Sequence, residues 1–189
     1  MSIDLPGFAD PVLGAQACFR AVLTAMSRPG LIQRTGLDLT PPSPLAPATA
    51  AVLLTLVDAE TTLLLAPSLA ASAEWIEFHC GARQGDAAAD FVVTDSLPDL
   101  AALESGNDEC PERSTTVILQ LAALGQGTAY TLAGPGLAAP TRFLAEGLPA
   151  DFLARWGANH RLYPRGIDLI LCAGTDLAAL PRSVAASEG

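Results

Sequence analysis

A block near the C-terminal end, YPRGIDLILCAGTDLAALPRS at residues 163–183, constrains the fold more than any other part of the sequence. Two apolar runs of β character are joined there by a Gly-Thr-Asp turn at 174–176. A Pro-Arg-Gly triplet containing Arg165 leads into the first run, and a Pro-Arg pair containing Arg182 stops the second. Proline cannot donate a ladder hydrogen bond, so these positions mark strand ends. The pattern predicts an antiparallel hairpin that holds arginines at its ends.

Upstream of this hairpin, apolar residues recur in stretches of helical spacing and stretches of β spacing. These patterns predict helices at 11–26, 47–57, 68–80 and 100–103, two short helices within 143–156, and strands at 31–35, 62–66, 91–94, 116–121 and 128–132. The Gly-Gln-Gly triplet at 125–127 predicts a hairpin between the last two strands.

The order of these elements predicts the fold class. Helices and strands alternate in the first half of the chain and hairpins dominate the second, which favours an α/β fold with a mixed sheet. We expect helices on both faces of that sheet, in a three-layer α/β/α arrangement. A length of 189 residues is typical of one domain with a full-sized core, so we expect residues 1–189 to form a single domain.

Charge excludes several classes of function. The chain has 20 acidic and 10 basic residues, a formal net charge of -10, and every basic residue is an arginine. The negative charge repels nucleic acid and anionic membrane surfaces, so neither is an expected partner. The absence of lysine excludes Schiff-base chemistry, attachment of pyridoxal phosphate and a P-loop within this chain. No apolar run approaches the roughly 20 residues of a membrane helix, and no export signal is evident, so we expect a cytoplasmic protein.

Neither a metal nor an organic cofactor is predicted. The cysteines are scattered without a Cys-x-x-Cys pair, at Cys18, Cys80, Cys110 and Cys172. In a chain of this size without an export signal, such spacing is typical of free thiols. A zinc site would need His79 and Cys80, adjacent residues that rarely point at one metal ion, and no second pair with ligand spacing is present.

Five residues are candidates for binding a ligand or a partner: Arg28, Arg165, Arg182, Asp168 and His79. The planar guanidinium suits phosphate, phosphonate or carboxylate oxygens, so the arginines could bind an anion. Alternatively, they form internal ion pairs, because an aspartate such as Asp168 in an apolar strand needs a partner to offset its burial. His79 is either an acid or base, or a helix-end residue beside the C-terminal dipole. No motif points to a catalytic residue, and none is assigned.

Five blocks of the sequence, taken in order, resemble a known family. They are FRAVLTAMSRPG at 19–30, VLLTLVDAET at 52–61, WIEFHC at 75–80, LAGPGLA at 132–138 and YPRGIDLILC at 163–172, the last followed by ALPR. Each block is short, but the ordered set extends over nearly the whole chain, from about Pro11 to Ser183. The chain is thereby similar to PhnH, the H subunit of the bacterial carbon–phosphorus lyase system.

The resemblance implies a role in organic phosphonate catabolism, as one subunit of a core complex with the G, I and J subunits. In that complex an alkylphosphonate displaces adenine from ATP to give a ribose 1-phosphonate 5-triphosphate, before a radical iron–sulfur step cleaves the carbon–phosphorus bond. The resemblance also implies a fold similar to that of pyridoxal-phosphate-dependent transferases without the cofactor. The absence of lysine agrees with the missing cofactor. No catalytic residue is carried over.

The sequence leaves three functions open. In the first, the chain is an accessory, non-catalytic subunit of that complex, which suits an acidic domain that would bind phosphonate and ATP poorly by itself. In the second, it is an independent enzyme in which Arg28, Arg165 and Arg182 converge on a phosphonate or nucleotide and His79 is the acid or base. In the third, it is a homodimeric scaffold whose interface is the helix 47–57, which is apolar nearly all round. We expect the isolated chain to be a homodimer.

Overall fold

In a computed structural model, which describes residues 4–189, the chain forms four α-helices and ten strands. The helices are α1 (Pro11–Ser27), α2 (Pro47–Leu56), α3 (Ala73–Cys80) and α4 (Phe152–His160). The strands are β1 (Gln33–Arg34), β2 (Thr62–Leu65), β3 (Arg83–Gln84), β4 (Phe91–Thr94), β5 (Thr116–Gln120), β6 (Ala123–Ala133), β7 (Thr141–Glu146), β8 (Asp168–Ala173), β9 (Asp176–Leu180) and β10 (Ala185–Glu188). Three short 3-10 turns lie at Pro67–Ser72, Leu100–Ala102 and Pro111–Arg113.

Seven strands form a mixed sheet in the order β1-β9-β8-β5-β4-β2-β3. The strands β8, β5, β4, β2 and β3 are parallel, whereas β9 pairs antiparallel with β8 and β1 antiparallel with β9. The C-terminal hairpin is confirmed: β8 and β9 pair from Leu169 opposite Leu180 to Ala173 opposite Asp176. The predicted α/β fold with a mixed sheet is therefore confirmed.

A second sheet contains three antiparallel strands in the order β10-β6-β7. The hairpin predicted at 116–121 and 128–132 is wrong, because β5 pairs with β4 and β8 in the large sheet while β6 pairs with β7 and β10. Val117, Ile118 and Leu119 of β5 are all fully buried, as expected for a central parallel strand with both faces covered. The Gly-Gln-Gly triplet forms a bulge in β6, where the register with β7 shifts between Leu124 and Thr128.

The two short helices predicted within 143–156 are also partly wrong. The first half is the strand β7, and only the second half is helical, as α4. In β7 the side chains of Phe143 and Ala145 are buried while Arg142 and Glu146 are exposed, which is the two-residue alternation of a strand. Gly147 and Pro149 lie in the connection between strand and helix, so the two breaks separate different element types.

Two hydrophobic cores lie on opposite faces of the seven-stranded sheet. Helices α1, α2 and α3 cover one face, where they pack on strand residues such as Val93, Ile118 and Ile170. The neighbouring strand residues point the other way, and α4 and the three-stranded sheet pack over them. The second face therefore carries a small sheet in addition to a helix.

The apolar helix α2 is buried within its own chain. Residues 48–53 are all buried, and α2 packs against α1, α3 and the strands β5 and β8. A helix without a polar face is usually buried between other elements, and α2 lies in such a position. The prediction that this helix forms a dimer interface is wrong, because its apolar surface is already covered by other elements of the same molecule.

Asp90 joins the beginnings of β2 and β4. Its Oδ2 accepts hydrogen bonds from the backbone amide of Thr62 at 2.8 Å and from the Thr62 hydroxyl at 2.7 Å, and the Asp90 amide donates to the Thr62 Oγ1 at 3.0 Å. The Thr62 hydroxyl and amide together hold the pKa of the Asp90 carboxyl below its ordinary value of 3.8.

We expect Asp90→Asn to lower the melting temperature at neutral pH and to have a smaller effect in acid. The depressed pKa means that ionised Asp90 stabilises the folded state above the pKa of the unfolded chain, about 3.9. That contribution is lost as the pH falls through the lower folded-state pKa. Thermal melts of both proteins from pH 7 to pH 3 measure the difference. In a Thr62→Val background the difference should shrink, and an unchanged gap at all pH values would contradict the assignment.

Candidate functional site

Asp168 and Arg182 form a largely buried ion pair at one end of the C-terminal hairpin. Asp168 begins β8, and Arg182 follows the proline that ends β9. The Arg182 Nε lies 3.1 Å from each Asp168 carboxylate oxygen, Nη2 also contacts Oδ2, and the Arg182 amide donates to Oδ1 at 2.7 Å. Only 13% of the Arg182 side chain and 15% of the Asp168 side chain are exposed. The carboxylate of Asp168 therefore has the arginine partner that its burial requires.

Most of the remaining donors of Arg182 are also occupied by the protein. Its Nη1 donates to the carbonyl oxygen of Pro111 at 2.7 Å, and its Nη2 donates to the Ser114 hydroxyl. The Nδ1 of His160, on α4, donates to the Arg182 carbonyl oxygen at 2.9 Å. Arg182 thus connects the hairpin to α4 and to the turn before β5. Because the guanidinium has five N–H donors in total, almost none is left for a ligand.

A buried asparagine supports this cluster and was missed by the sequence analysis. The Asn159 Oδ1 accepts from the Ile167 amide at 2.7 Å, and its Nδ2 donates to the Ile167 carbonyl oxygen at 2.9 Å. Asn159 lies on the buried face of α4 with Phe152 and Trp156. An asparagine on the apolar stripe of a helix, at i+3 from Trp156, is the signal that could have revealed it.

Arg165 lies near this cluster but makes a weaker contact. Its Nε is 3.2 Å from the Asp108 Oδ1 but is itself buried and forms no hydrogen bond, while 40% of the Arg165 side chain and 84% of the Asp108 side chain are exposed. Solvent-exposed ion pairs of this kind contribute about 0–1 kcal/mol to stability. Gly166, the next residue, has a φ of +119° and lies against Asn159 and the Arg182 side chain, so Arg165 and Arg182 are neighbours in space.

Arg28 occupies a different place, at the C-terminal end of α1. It lines an open cavity of about 380 Å³ together with Leu31, Leu137 and Thr141. Two sequence blocks meet there, because a Cβ on Gly136 would lie 2.3 Å from the Ser27 carbonyl oxygen. The AGPG turn therefore approaches the end of α1 more closely than any residue with a side chain would allow.

His79 anchors the N-terminal segment of the chain. Its Nε2 donates to the Leu5 carbonyl oxygen at 3.1 Å, and the same oxygen accepts from the Trp75 indole at 2.8 Å. The His79 ring also packs on the Trp75 ring in a tilted arrangement, with the ring centroids 4.6 Å apart and the ring planes at 52°. Burial raises the pKa of the adjacent Cys80 thiol to about 12, so this sulfur stays protonated and is a poor nucleophile.

The structure brings some of the candidate residues together and separates others. Arg182, Asp168 and Arg165 cluster at one end of the hairpin, whereas Arg28 lines the cavity at the end of α1. His79 lies on α3, on the sheet face covered by the first three helices. The convergence of three arginines and His79 required by an independent enzyme is not formed among these described residues.

The other cysteines are free thiols, and the described residues form no metal-binding cluster. Burial raises the pKa of the Cys18 and Cys172 thiols, and all four cysteines are free. Within residues 4–189, no group of three or more His, Cys, Asp and Glu side chains is placed to hold a metal ion. In the same part of the chain, no helix is both long enough and apolar enough to cross a membrane.

These observations define a mixed α/β domain whose most elaborate polar cluster is an internal clamp. Comparison with known proteins then identifies the family. The family model described as bacterial phosphonate metabolism protein (PhnH) matches residues 6–187. The chain belongs to the PhnH family.

Two curated proteins are similar to the chain over most of its length. It is 39% identical over 183 residues to the alpha-D-ribose 1-methylphosphonate 5-triphosphate synthase subunit PhnH of Rhizobium meliloti (strain 1021), covering 93% of this chain and 92% of the relative. It is also 32% identical over 177 residues to HtxG of Stutzerimonas stutzeri, which is named as a candidate C-P lyase subunit, covering 89% of this chain and 83% of that protein.

Proposed function

We propose that this chain is an accessory, non-catalytic subunit of a carbon–phosphorus lyase core complex in organic phosphonate catabolism. The observation that carries the proposal is the match over 93% of the chain to a relative named as a subunit of alpha-D-ribose 1-methylphosphonate 5-triphosphate synthase. In this role the chain assembles with the G, I and J subunits, and the complex joins ATP and an alkylphosphonate with loss of adenine.

The polar groups of the chain support an accessory role. Arg182 is the arginine best placed by burial to bind an anion, yet its donors go to Asp168, Pro111 and Ser114. The net charge of -10 disfavours binding of ATP or a phosphonate by this chain alone. His79 is held against the Leu5 carbonyl oxygen, away from the arginine cluster. Each of these features favours a non-catalytic subunit, which contributes to assembly of the complex, over a subunit with catalytic activity of its own.

We make four further proposals, on the number of domains, the likeness of the fold, the cellular location and the oligomeric state of the chain. We infer one domain, because both cores share strands of the seven-stranded sheet. The helices on the sheet suit a likeness to the pyridoxal-phosphate-dependent transferase fold, and the absence of lysine means that no aldimine can form in this chain. Four free cysteines suit the cytoplasm. A homodimer of the isolated chain would use a surface other than α2, which is buried.

Purified alone, the chain should not release adenine from ATP in the presence of methylphosphonate. Liquid chromatography of the reaction mixture measures adenine directly. Co-expression of the chain with the G, I and J subunits should yield one co-purifying assembly that releases adenine. Adenine release by the isolated chain would contradict the non-catalytic role, and failure to co-purify with any of the three subunits would contradict the accessory role.

A further inference from the structure

Helix α1 presents an apolar stripe to solvent. Val12 is 75% exposed, Phe19 50% and Leu23 58%, and their spacing of seven and four residues places them on one face of the helix. We call this stripe, together with Arg20 on the same helix and Arg28 at its C-terminal end, the α1 surface. Single exposed apolar residues are common, whereas three on one helical face form a contiguous apolar surface of the kind used in protein–protein contacts.

The α1 surface is not the side of the helix that builds the core. The buried residues of α1, including Cys18, Val22 and Ala25, point to the opposite side and pack against α2 and β9. The stripe therefore lies outside the packing that stabilises the fold. No neighbouring element among the described residues covers it, as the exposed fractions show.

The charge of the α1 surface is opposite to that of the rest of the protein. From Pro11 to Ser27, α1 contains no aspartate or glutamate, although the chain as a whole has a net charge of -10. The ion pairs of the described residues are formed by Arg34, Arg155, Arg165 and Arg182. Arg20 and Arg28 are exposed and form none within residues 4–189. Arg20 is thus available on α1 beside the apolar stripe, and Arg28 is available at the C-terminal end of the helix.

A groove continues this surface beyond the end of the helix. The cavity of about 380 Å³ that contains Arg28 is lined by Leu31, Leu137 and Thr141. Gly136 holds the AGPG turn against the Ser27 carbonyl oxygen, so the wall of the groove is fixed to the end of α1. A partner that covered the stripe could extend into this groove.

We propose that the α1 surface docks another protein subunit, one whose contacting face is apolar in its centre and acidic at its rim. This inference rests on the proposed function and specifies the surface of this chain that assembly uses. The acidic rim would pair with Arg20 and Arg28, and the apolar centre would cover Phe19 and Leu23.

A second copy of this chain fits the surface poorly. In a two-fold dimer the same patch meets itself, so the α1 arginines of one copy would face those of the other. Within Pro11–Ser27 the helix offers no carboxylate to pair with them, and the Asp10 carboxylate at its N-terminal end accepts hydrogen bonds from the amides of Val12 and Leu13. Each copy also carries a net charge of -10. The charge pattern therefore favours a different subunit over self-association.

Substitutions on the α1 surface test this assignment. The chain, carrying an affinity tag, is co-expressed with the G, I and J subunits, and the retained partner subunits are quantified for wild type, Phe19→Asp, Leu23→Asp and the double variant Arg20→Glu, Arg28→Glu. Each apolar variant should retain at least about tenfold less partner, as expected for the centre of an interface. The charge reversal should weaken retention most at low salt. Phe78→Asp, at a 68% exposed phenylalanine on α3, is the matched control and should behave as wild type.

The outcomes separate the inference from the function on which it rests. If wild type assembles and the α1 variants assemble equally well, the inference is overturned and the accessory role stands. If wild type fails to assemble, the accessory role itself is overturned. If the α1 variants lose only self-association by light scattering, the occupant is a second copy and the proposal is wrong. Unchanged melting temperatures of the charge-reversal and Leu23→Asp variants would show that lost assembly is not lost folding.

Discussion

Replacing Asp168 with alanine should lower the free energy of unfolding by about 3–5 kcal/mol, because the Arg182 guanidinium would remain buried without its carboxylate. The Arg182 amide would also lose its acceptor, the Asp168 Oδ1 at 2.7 Å. Urea denaturation followed by circular dichroism measures the change. Because Arg182 connects the hairpin to α4 and to the turn before β5, we expect the loss of its carboxylate partner to destabilise the whole fold.

The matched control is Asp151→Ala, which breaks the exposed pair of Asp151 with Arg155 on α4. That change should cost about 0–1 kcal/mol, because water solvates both charges in either state. The double variant Asp168→Leu, Arg182→Met should be less destabilised than Asp168→Ala alone, since no uncompensated charge is left inside the protein. Equal losses for Asp168→Ala and Asp151→Ala would show that the clamp contributes little to stability.

The hairpin was predictable from sequence because local rules determine it, and the ion pair was one of two alternatives that the sequence left open for its arginines. Prolines mark the ends of β8 and β9, and an acidic residue entering an apolar strand requires a partner close by. Arg182 follows β9 and is brought beside Asp168 by the hairpin register alone. The hairpin therefore makes this contact possible without the rest of the fold, although the sequence alone did not choose it over an anion site.

The pairing of β5 and β6 was not predictable by the same means. Two β runs separated by a glycine-rich triplet favour a hairpin locally, yet β5 and β6 belong to different sheets. The deciding property is that β5 is apolar on both faces, which requires covering layers on each side and hence a central position. The burial of β5 on both faces therefore outweighed the turn signal of the Gly-Gln-Gly triplet. The triplet forms a bulge in β6 instead of a hairpin turn.

The role of the arginines also depended on contacts far apart in sequence. Pro111 and Ser114, which accept two of the Arg182 donors, lie about 70 residues before it, as the separations of 71 and 68 show. No spacing rule relates those positions, so the choice between an anion site and an internal clamp could not be made from sequence. The faces of α1 are a similar case: apolar residues at helical spacing predicted the helix, but only the structure shows which side meets α2.

Gly136→Ala should lower the free energy of unfolding by more than the same substitution at Gly174, where a Cβ would contact nothing. The backbone φ at Gly136 is +86°, which costs an L-residue about 1–2 kcal/mol. In addition, the new Cβ would lie 2.3 Å from the Ser27 carbonyl oxygen and 3.0 Å from the Pro29 side chain. Relief of that contact must move the AGPG turn away from the end of α1, and such overpacking typically costs about 1–3 kcal/mol more. Chemical denaturation of the variant and the wild type measures the sum.

Gly174→Ala separates the two contributions to this effect. Gly174, in the turn between β8 and β9, has a φ of +56°, but a Cβ there would meet nothing within 4 Å. Its substitution therefore measures backbone strain without a clash, and the excess loss at Gly136 measures the close approach to α1. Because the same turn forms a wall of the groove beside Arg28, Gly136→Ala should also weaken subunit retention more than Gly174→Ala does. Equal losses of stability at the two glycines would mean that the turn is not held against α1 in solution.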